Sequence, residues 1–258
     1  MIESNVSIQD IQTYWNGRIH DLEMTEETVG TKEFFDDLDA YRYDKLRYLP
    51  KVVDFNGFSG KKLLEIGCGI GTDLVRFAKG GADVTGVDLS ETAIDLAKEN
   101  FHLHDIKGKF LIGNGEALEF PDNHFDVVYA HGVLQYTANI QKMINEAHRV
   151  LKPGGLFIGM VYNRKGWLNT MSKLFKVGLE HADAPGLTLY TIKEMKAFMA
   201  PFAKVKILPE RFPVKSKLHK GLKAVLFNTI FVSLFNFIPR RLVRHLGWHI
   251  MVFGEKAA

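Results

Sequence analysis

Residues 63–72, Leu63-Leu64-Glu65-Ile66-Gly67-Cys68-Gly69-Ile70-Gly71-Thr72, constrain the fold more than any other stretch of the chain. An apolar run of strand character ends in glycines at alternate positions, which let the backbone turn tightly and approach a ligand that a Cβ would hold off. Residues 72–79 then carry apolar side chains at helical spacing. The rhythm repeats downstream: 83–87, 109–112, 125–129 and 155–161 read as strands, 91–101 and 139–151 as helices, with Ser90 as a cap. Strands alternating with helices predict a parallel sheet covered on both faces. The glycine-rich strand end then falls on one edge of that sheet, where open α/β folds hold their ligands.

The rest of the chain is consistent with one such domain. Its 258 residues are 46% hydrophobic and 24% charged, the balance of a soluble globular protein rather than a disordered one. A net charge of +3 is too small to mark a nucleic-acid binder. Cys68 is the only cysteine, so no internal disulfide forms, and the N-terminus lacks the pattern of a signal peptide. The reading is a cytoplasmic protein. The longest uncharged run, 224–239, contains Asn228, Ser233 and Asn236 and falls short of the roughly 20 apolar residues that span a bilayer. Tyr14, Trp15, Phe34, Phe35, Tyr41, Tyr43 and Tyr48 sit among acids in the first 59 residues, which predicts helices laid over the sheet edge. Beyond residue 163 the chain turns basic, with a helix expected at 190–199 and strands at 204–208 and 248–253. The last strand leaves no room for a crossover helix, which points to an antiparallel pair at the sheet's edge.

Asp88 ends the second strand, 21 residues after Gly67. A carboxylate there accepts from both hydroxyls of a ribose, so the two features describe an adenosine-type site. A dinucleotide site shares that logic, but its G-x-G-x-x-G fingerprint requires glycine where Thr72 or Leu74 stands. Glu65 is unfavourable beside a pyrophosphate and favourable beside an ammonium or sulfonium. The charge logic favours S-adenosylmethionine over a nicotinamide dinucleotide.

Four ordered motifs carry a resemblance: LLEIGCGIGTD at 63–73, VTGVDLS at 84–90, GNGEALEFPDNHFDVVYAHGVLQY at 113–136 and RVLKPGGLF at 149–157. In these the chain resembles the class I S-adenosylmethionine-dependent methyltransferases, specifically the type 11 group similar to the ubiquinone/menaquinone C-methylases. The resemblance implies a Rossmann-like α/β sheet of seven strands, mostly parallel with the last antiparallel, plus N-terminal helices and a C-terminal helical insertion. It implies a single methyltransferase domain over 1–258: a helical cap at 1–59, a cofactor-binding core at 60–162, and a second half at 163–258 with a lid-like or interfacial insertion at about 210–246. S-adenosyl-L-methionine is the implied cofactor and S-adenosyl-L-homocysteine its product.

Carried over position by position, Glu65, Gly67, Cys68, Gly69, Gly71, Thr72 and Asp73 line the methionine half of the cofactor site, and Asp88 binds the ribose. Leu89 packs on adenine. Asn114 and Gly115 stand where the family commonly has Asp-Ala, and the Asn114 carbonyl can still accept from the adenine amino group. Glu116 is the adjacent acid, and His131 closes the fourth strand beside the expected methyl position. His131, and with it Tyr14, are the candidate catalytic residues, His131 as a base with an ordinary pKa near 6.5. Tyr41, Tyr43, Gln135 and Tyr136 are acceptor-site candidates. In-line methyl transfer needs no metal, and His102 with His104 and His245 with His249 read as solvated histidines without a third ligand. Ala130-His131-Gly132-Val133 stands where amino-methylating DNA enzymes have Asn/Asp-Pro-Pro-aromatic, so nucleic acid is excluded as acceptor. A small-molecule or lipid-like acceptor remains; the alternatives are a catalytically silent cofactor-binding subunit and a nicotinamide-dependent oxidoreductase. The apolar residues of 222–241, flanked by Lys217, Lys220, Lys223, Arg240 and Arg241, form either a lid or core helix or one in peripheral contact with an anionic membrane.

Overall fold

The computed structural model describes residues 6–175, 179, 181–214 and 225–258. Seven strands form one sheet: β1 (Lys62–Ile66), β2 (Asp83–Asp88), β3 (Lys109–Ile112), β4 (Phe125–His131), β5 (Leu151–Tyr162), β6 (Lys204–Glu210) and β7 (His249–Glu255), in the order β3-β2-β1-β4-β5-β7-β6. The pairs from β3 through β5 are parallel, and β7 runs antiparallel to both β5 and β6. The expected antiparallel pair is present, with β6 outermost and the last strand one place inside it.

Period-two alternation divides the core between the two faces of the sheet. Leu63, Val127, Tyr129, Ile158, Met160 and Met251 pack on one face, while Leu64, Ile66, Val128, Ala130, Phe157 and Ile250 pack on the other. Helices α4 (Thr72–Lys79), α5 (Glu91–Leu103) and α6 (Ile140–Val150) connect the parallel strands. Ser90 accepts from Ala93 N and caps α5.

Three helices precede the sheet: α1 (Ile8–Asn16), α2 (Lys32–Lys45) and the single turn α3 (Leu49–Val52). They lie over the edge where β1, β2, β4 and β6 end. Trp15 caps that edge through its carbonyl, which accepts from Ser90 Oγ at 3.3 Å, and Gln12 Nε2 donates to Leu89 O at 2.9 Å. After β5 come α7 (Trp167–Phe175) and α8 (Ile192–Phe198), the latter closed by a Thr191/Glu194 capping box.

The apolar run near 224–239 departs from one continuous helix. Leu226–Phe231 is a π-helical stretch, Val232–Phe237 is α-helical, and Ile238 turns extended at ψ 130°. Pro239 follows, and the residue before a proline is driven out of the α region. Residues 215–224, including Lys215, Lys217, Lys220, Leu222 and Lys223, lie outside the described residues.

Candidate active site

A cleft opens between the N-terminal helices and the ends of β1, β2, β4, β6 and the start of β7. Gly67 and Gly69 shape its floor. Gly67 has φ +69°, and a Cβ there would come within 2.6 Å of Val133; Gly69 has φ +52° and nothing within 4 Å of a Cβ, so the backbone itself faces open space. Asp88 holds this loop, its Oδ2 accepting from Gly69 N and its Oδ1 from Ser90 N, each at 2.9 Å. Burial raises the Asp88 carboxyl above its ordinary range.

Glu65 is buried on the sheet face toward α2, and its Oε2 finds no hydrogen-bond partner. Burial, then the charges of Asp73 and Asp88, push its carboxyl well above the usual range. An unpartnered carboxylate oxygen beside an open glycine turn is the acceptor that an amino-acid ammonium next to a sulfonium would satisfy. The residues present therefore fit S-adenosylmethionine.

Asp73 is fully engaged elsewhere. Arg42 of α2 reaches it with Nε at 2.7 Å and Nη2 at 2.5 Å, and the hydroxyls of Tyr43 and Tyr129 each donate at 2.8 Å. Burial alone would raise this carboxyl, but the Arg42 guanidinium outweighs it and holds Asp73 well below the usual carboxylate range. The bidentate pair ties α2 to α4 across the cleft.

His131 sits at the end of β4, stacked on Tyr129, with Arg42 Nη2 at 3.2 Å from Nδ1 and the Tyr48 hydroxyl at 3.2 Å from Nε2. Tyr48 also meets His249 Nδ1 at 2.6 Å, and Arg211 Nη1 lies 2.9 Å from His249 Nε2. A guanidinium only donates, so Nδ1 of His131 and Nε2 of His249 accept. The two neutral rings then carry their protons on the nitrogens facing Tyr48, whose own proton is left to Met251 Sδ at 3.7 Å. Burial and then Arg42 push His131 down to about 3, and burial and then Arg211 push His249 well below the ordinary imidazole range.

These contacts revise two expectations. One nitrogen of His131 is protonated and the other is engaged by Arg42, and its low pKa makes it a weak proton acceptor, which argues against the expected role as base. His249 is not solvated: it is 2% exposed and bound on both nitrogens.

Of the other sequence-derived candidates, Cys68, Thr72, Leu89, Asn114 and Tyr136 line the cleft together with Glu65, Gly67, Gly69, Asp73, Asp88 and His131. Asn114 Oδ1 accepts from Glu116 N at 2.9 Å, closing a local turn. Gly71, Gly115, Glu116, Tyr14, Tyr41, Tyr43 and Gln135 are not among its walls. Glu116 accepts from Thr137 Oγ1 and from Asn139 N at 2.9 Å, bracing a loop. Gly115 is packed on Ile66 and Met143, Tyr43 is spent on Asp73, and Tyr14 points to Asp183 at 3.0 Å. The Tyr41 ring lies under Lys45 Nζ, and Gln135 is fully buried. Sequence reasoning named Tyr48 and His249 without a role in the site and missed Arg42, Lys45 and Arg211. Of the three missed, Arg42, between two singled-out tyrosines, carried a nearby signal.

Residues 64–159 match the family model described as a methyltransferase domain. A sterol 4-C-methyltransferase of Caenorhabditis elegans is 32% identical over 150 residues, covering 57% of this chain and 42% of that protein. A ubiquinone biosynthesis O-methyltransferase of Coxiella burnetii is 32% identical over 129 residues, covering 49% of this chain and 54% of that protein. The matches thus span about half the length of these curated relatives or less. The crystal structure of geranyl diphosphate C-methyltransferase from Streptomyces coelicolor superposes with a TM-score of 0.59 at 17% identity, covering 97% of this chain and 98% of that one, and shares the fold. Over residues 64–159 this chain matches the methyltransferase-domain family and is similar to the class I S-adenosylmethionine-dependent methyltransferases of the type 11 group.

Proposed function

We propose that the protein transfers a methyl group from S-adenosylmethionine to a small-molecule or lipid-like acceptor by in-line displacement. The observation that carries this reading is the placement of two carboxylates, the buried Glu65 and the half-buried Asp88, around an open glycine turn. S-adenosylmethionine supplies a methyl group already activated on a sulfonium, so the chain's own work is placement and exclusion of water. Glu65 holds the ammonium, Asp88 the ribose hydroxyls, Leu89 and Asn114 the adenine, and the Gly67–Gly69 backbone approaches the amino-acid half. Arg42 and Asp73 lock α2 onto α4 and fix the acceptor-side wall, to which Tyr136 also contributes. Residues 1–59 act as the cap, 60–162 as the cofactor core and 163–258 as the acceptor-side half.

Calorimetry tests the cofactor, with S-adenosylhomocysteine binding and nicotinamide dinucleotide not binding as the expected result. Mass spectrometry of cell extract incubated with the protein and isotopically labelled cofactor tests the transfer; an extract with no labelled product leaves the silent-subunit reading standing.

A second observation bears on where the protein works. Phe237 and Leu234 are 90% and 65% exposed beside Arg240 and Arg241. Large apolar side chains next to guanidiniums suit an anionic lipid surface, and they support a cytoplasmic enzyme in peripheral contact with the membrane. No helix among the described residues is long and apolar enough to cross one.

A further inference from the structure

The charges lining the cleft do not cancel evenly. Arg42 is paired with Asp73, Lys45 with Asp21 at 2.9 Å and Arg18 with Asp183 at 3.0 Å. The carboxylates left without a cation, Glu65 and Asp88, lie on β1 and β2. The cation left over is Arg211, which takes part in no ion pair among the described residues.

Arg211 emerges one residue past β6, four strands from β1 in the sheet order, and reaches back to His249 at the start of β7. Its backbone is left-handed at φ 57°, and its carbonyl accepts from Trp167 Nε1 at 2.8 Å and Trp248 N at 3.3 Å. A non-glycine residue keeps that conformation only where its surroundings fix it. Around the guanidinium stand the neutral groups His249, His131 and Tyr48, and the already paired cations Arg42 and Lys45. Its chain neighbour Glu210 faces Arg244. The planar fork of an arginine in a partly buried wall is matched by a carboxylate or phosphate.

We infer that the methyl acceptor carries an anionic group, a carboxylate or a phosphate ester, which docks on Arg211 at the β6–β7 end of the cleft. The inference rests on the methyl-transfer reading for the word acceptor, and on the charge inventory alone for the anion site. The cleft is then polarised to match both ligands: carboxylates toward the cationic cofactor, a guanidinium toward the anionic partner.

The test is calorimetric titration of the full chain, saturated with S-adenosylhomocysteine, with 4-hydroxybenzoate, phenyl phosphate and neutral 4-hydroxybenzyl alcohol. One of the two anions is expected to bind about tenfold or more tighter than the alcohol, and its identity separates carboxylate from phosphate. Arg211→Gln should abolish that preference and Arg211→Lys keep part of it, with S-adenosylhomocysteine affinity unchanged. Anions that bind no better than the alcohol, or that bind Arg211→Gln as well as wild type, overturn the site. In the wild-type chain the Arg211 Nε–H resonance should shift with the anion and not with the alcohol; an unmoved resonance overturns the site even where Arg211→Gln fails to fold. A wild-type chain that does not bind S-adenosylhomocysteine overturns the methyl-transfer reading instead, and the same titration without it still reads Arg211.

Discussion

Glu65 is buried with one carboxylate oxygen, Oε2, that no group of the protein hydrogen-bonds, so its charged form is a cost to the unliganded protein. Its folded-state pKa is raised, which means its contribution to stability is full below the unfolded value of about 4.3 and is lost as pH rises through the folded one. Glu65→Gln should therefore raise the melting temperature of the ligand-free chain by roughly 2–4 °C per kcal/mol relieved. The same change should weaken S-adenosylhomocysteine by about tenfold or more, because a charged hydrogen-bond acceptor is gone. Thermal melting with and without ligand separates the two effects. Asp88→Ala should weaken the ligand by a similar factor of about ten in calorimetry, and unchanged affinity would remove Asp88 from the ribose. Both residues were legible because chain-local spacing puts them at adjoining strand ends. His131 was legible as a position but not as a chemical state, since its neutrality depends on Arg42, 89 residues away, and on Tyr48, 83 away.

At the scale of elements, alternation of short apolar runs with amphipathic helices was enough to locate all seven strands, most plainly β1, β2 and β4, which are parallel and almost wholly buried. The stretch from Leu226 to Phe237 was harder, since an apolar run does not say which side chains are covered. Trp167 settles part of it: its ring meets Phe231 at 5.9 Å and Phe235 at 6.5 Å, while Phe237 points outward. The two groups of phenylalanines should respond oppositely. Replacing Phe231 and Phe235 by Ser should cost about 3 kcal/mol of stability, read by denaturant unfolding. Phe237→Ser should leave stability unchanged and reduce co-sedimentation with anionic vesicles at low salt. Wild-type protein that stays in the supernatant under those conditions would end the membrane reading.

For the molecule as a whole, the cleft joins residues from both ends of the chain, which is why its composition could not be read from any one motif: Tyr48 and His249 meet across 201 positions. That junction makes stability depend on pH. His131 and His249 have folded-state pKa values depressed below the unfolded value of about 6.5, so the stability they represent is present above it and lost as pH falls. Between about pH 6 and pH 5 His131 should lower the unfolding free energy by about 1.4 kcal/mol per pH unit, His249 should act in the same direction, and the double variant His131→Asn, His249→Gln should show a shallower fall over that range. Their imidazole NMR signals should stay at the neutral position throughout. The placement of α1 has a consequence for timing. It contributes Ile8, Ile11 and Trp15 to the cleft wall and is bound to the β2–α5 junction by Gln12, Trp15 and Asn16, yet Ile11 is its one buried residue. A roof held by these contacts and by Trp15 against Tyr136 must lift before anything beneath it can leave, so turnover would be paced by how often this helix parts from the β2–α5 junction to let spent cofactor diffuse out.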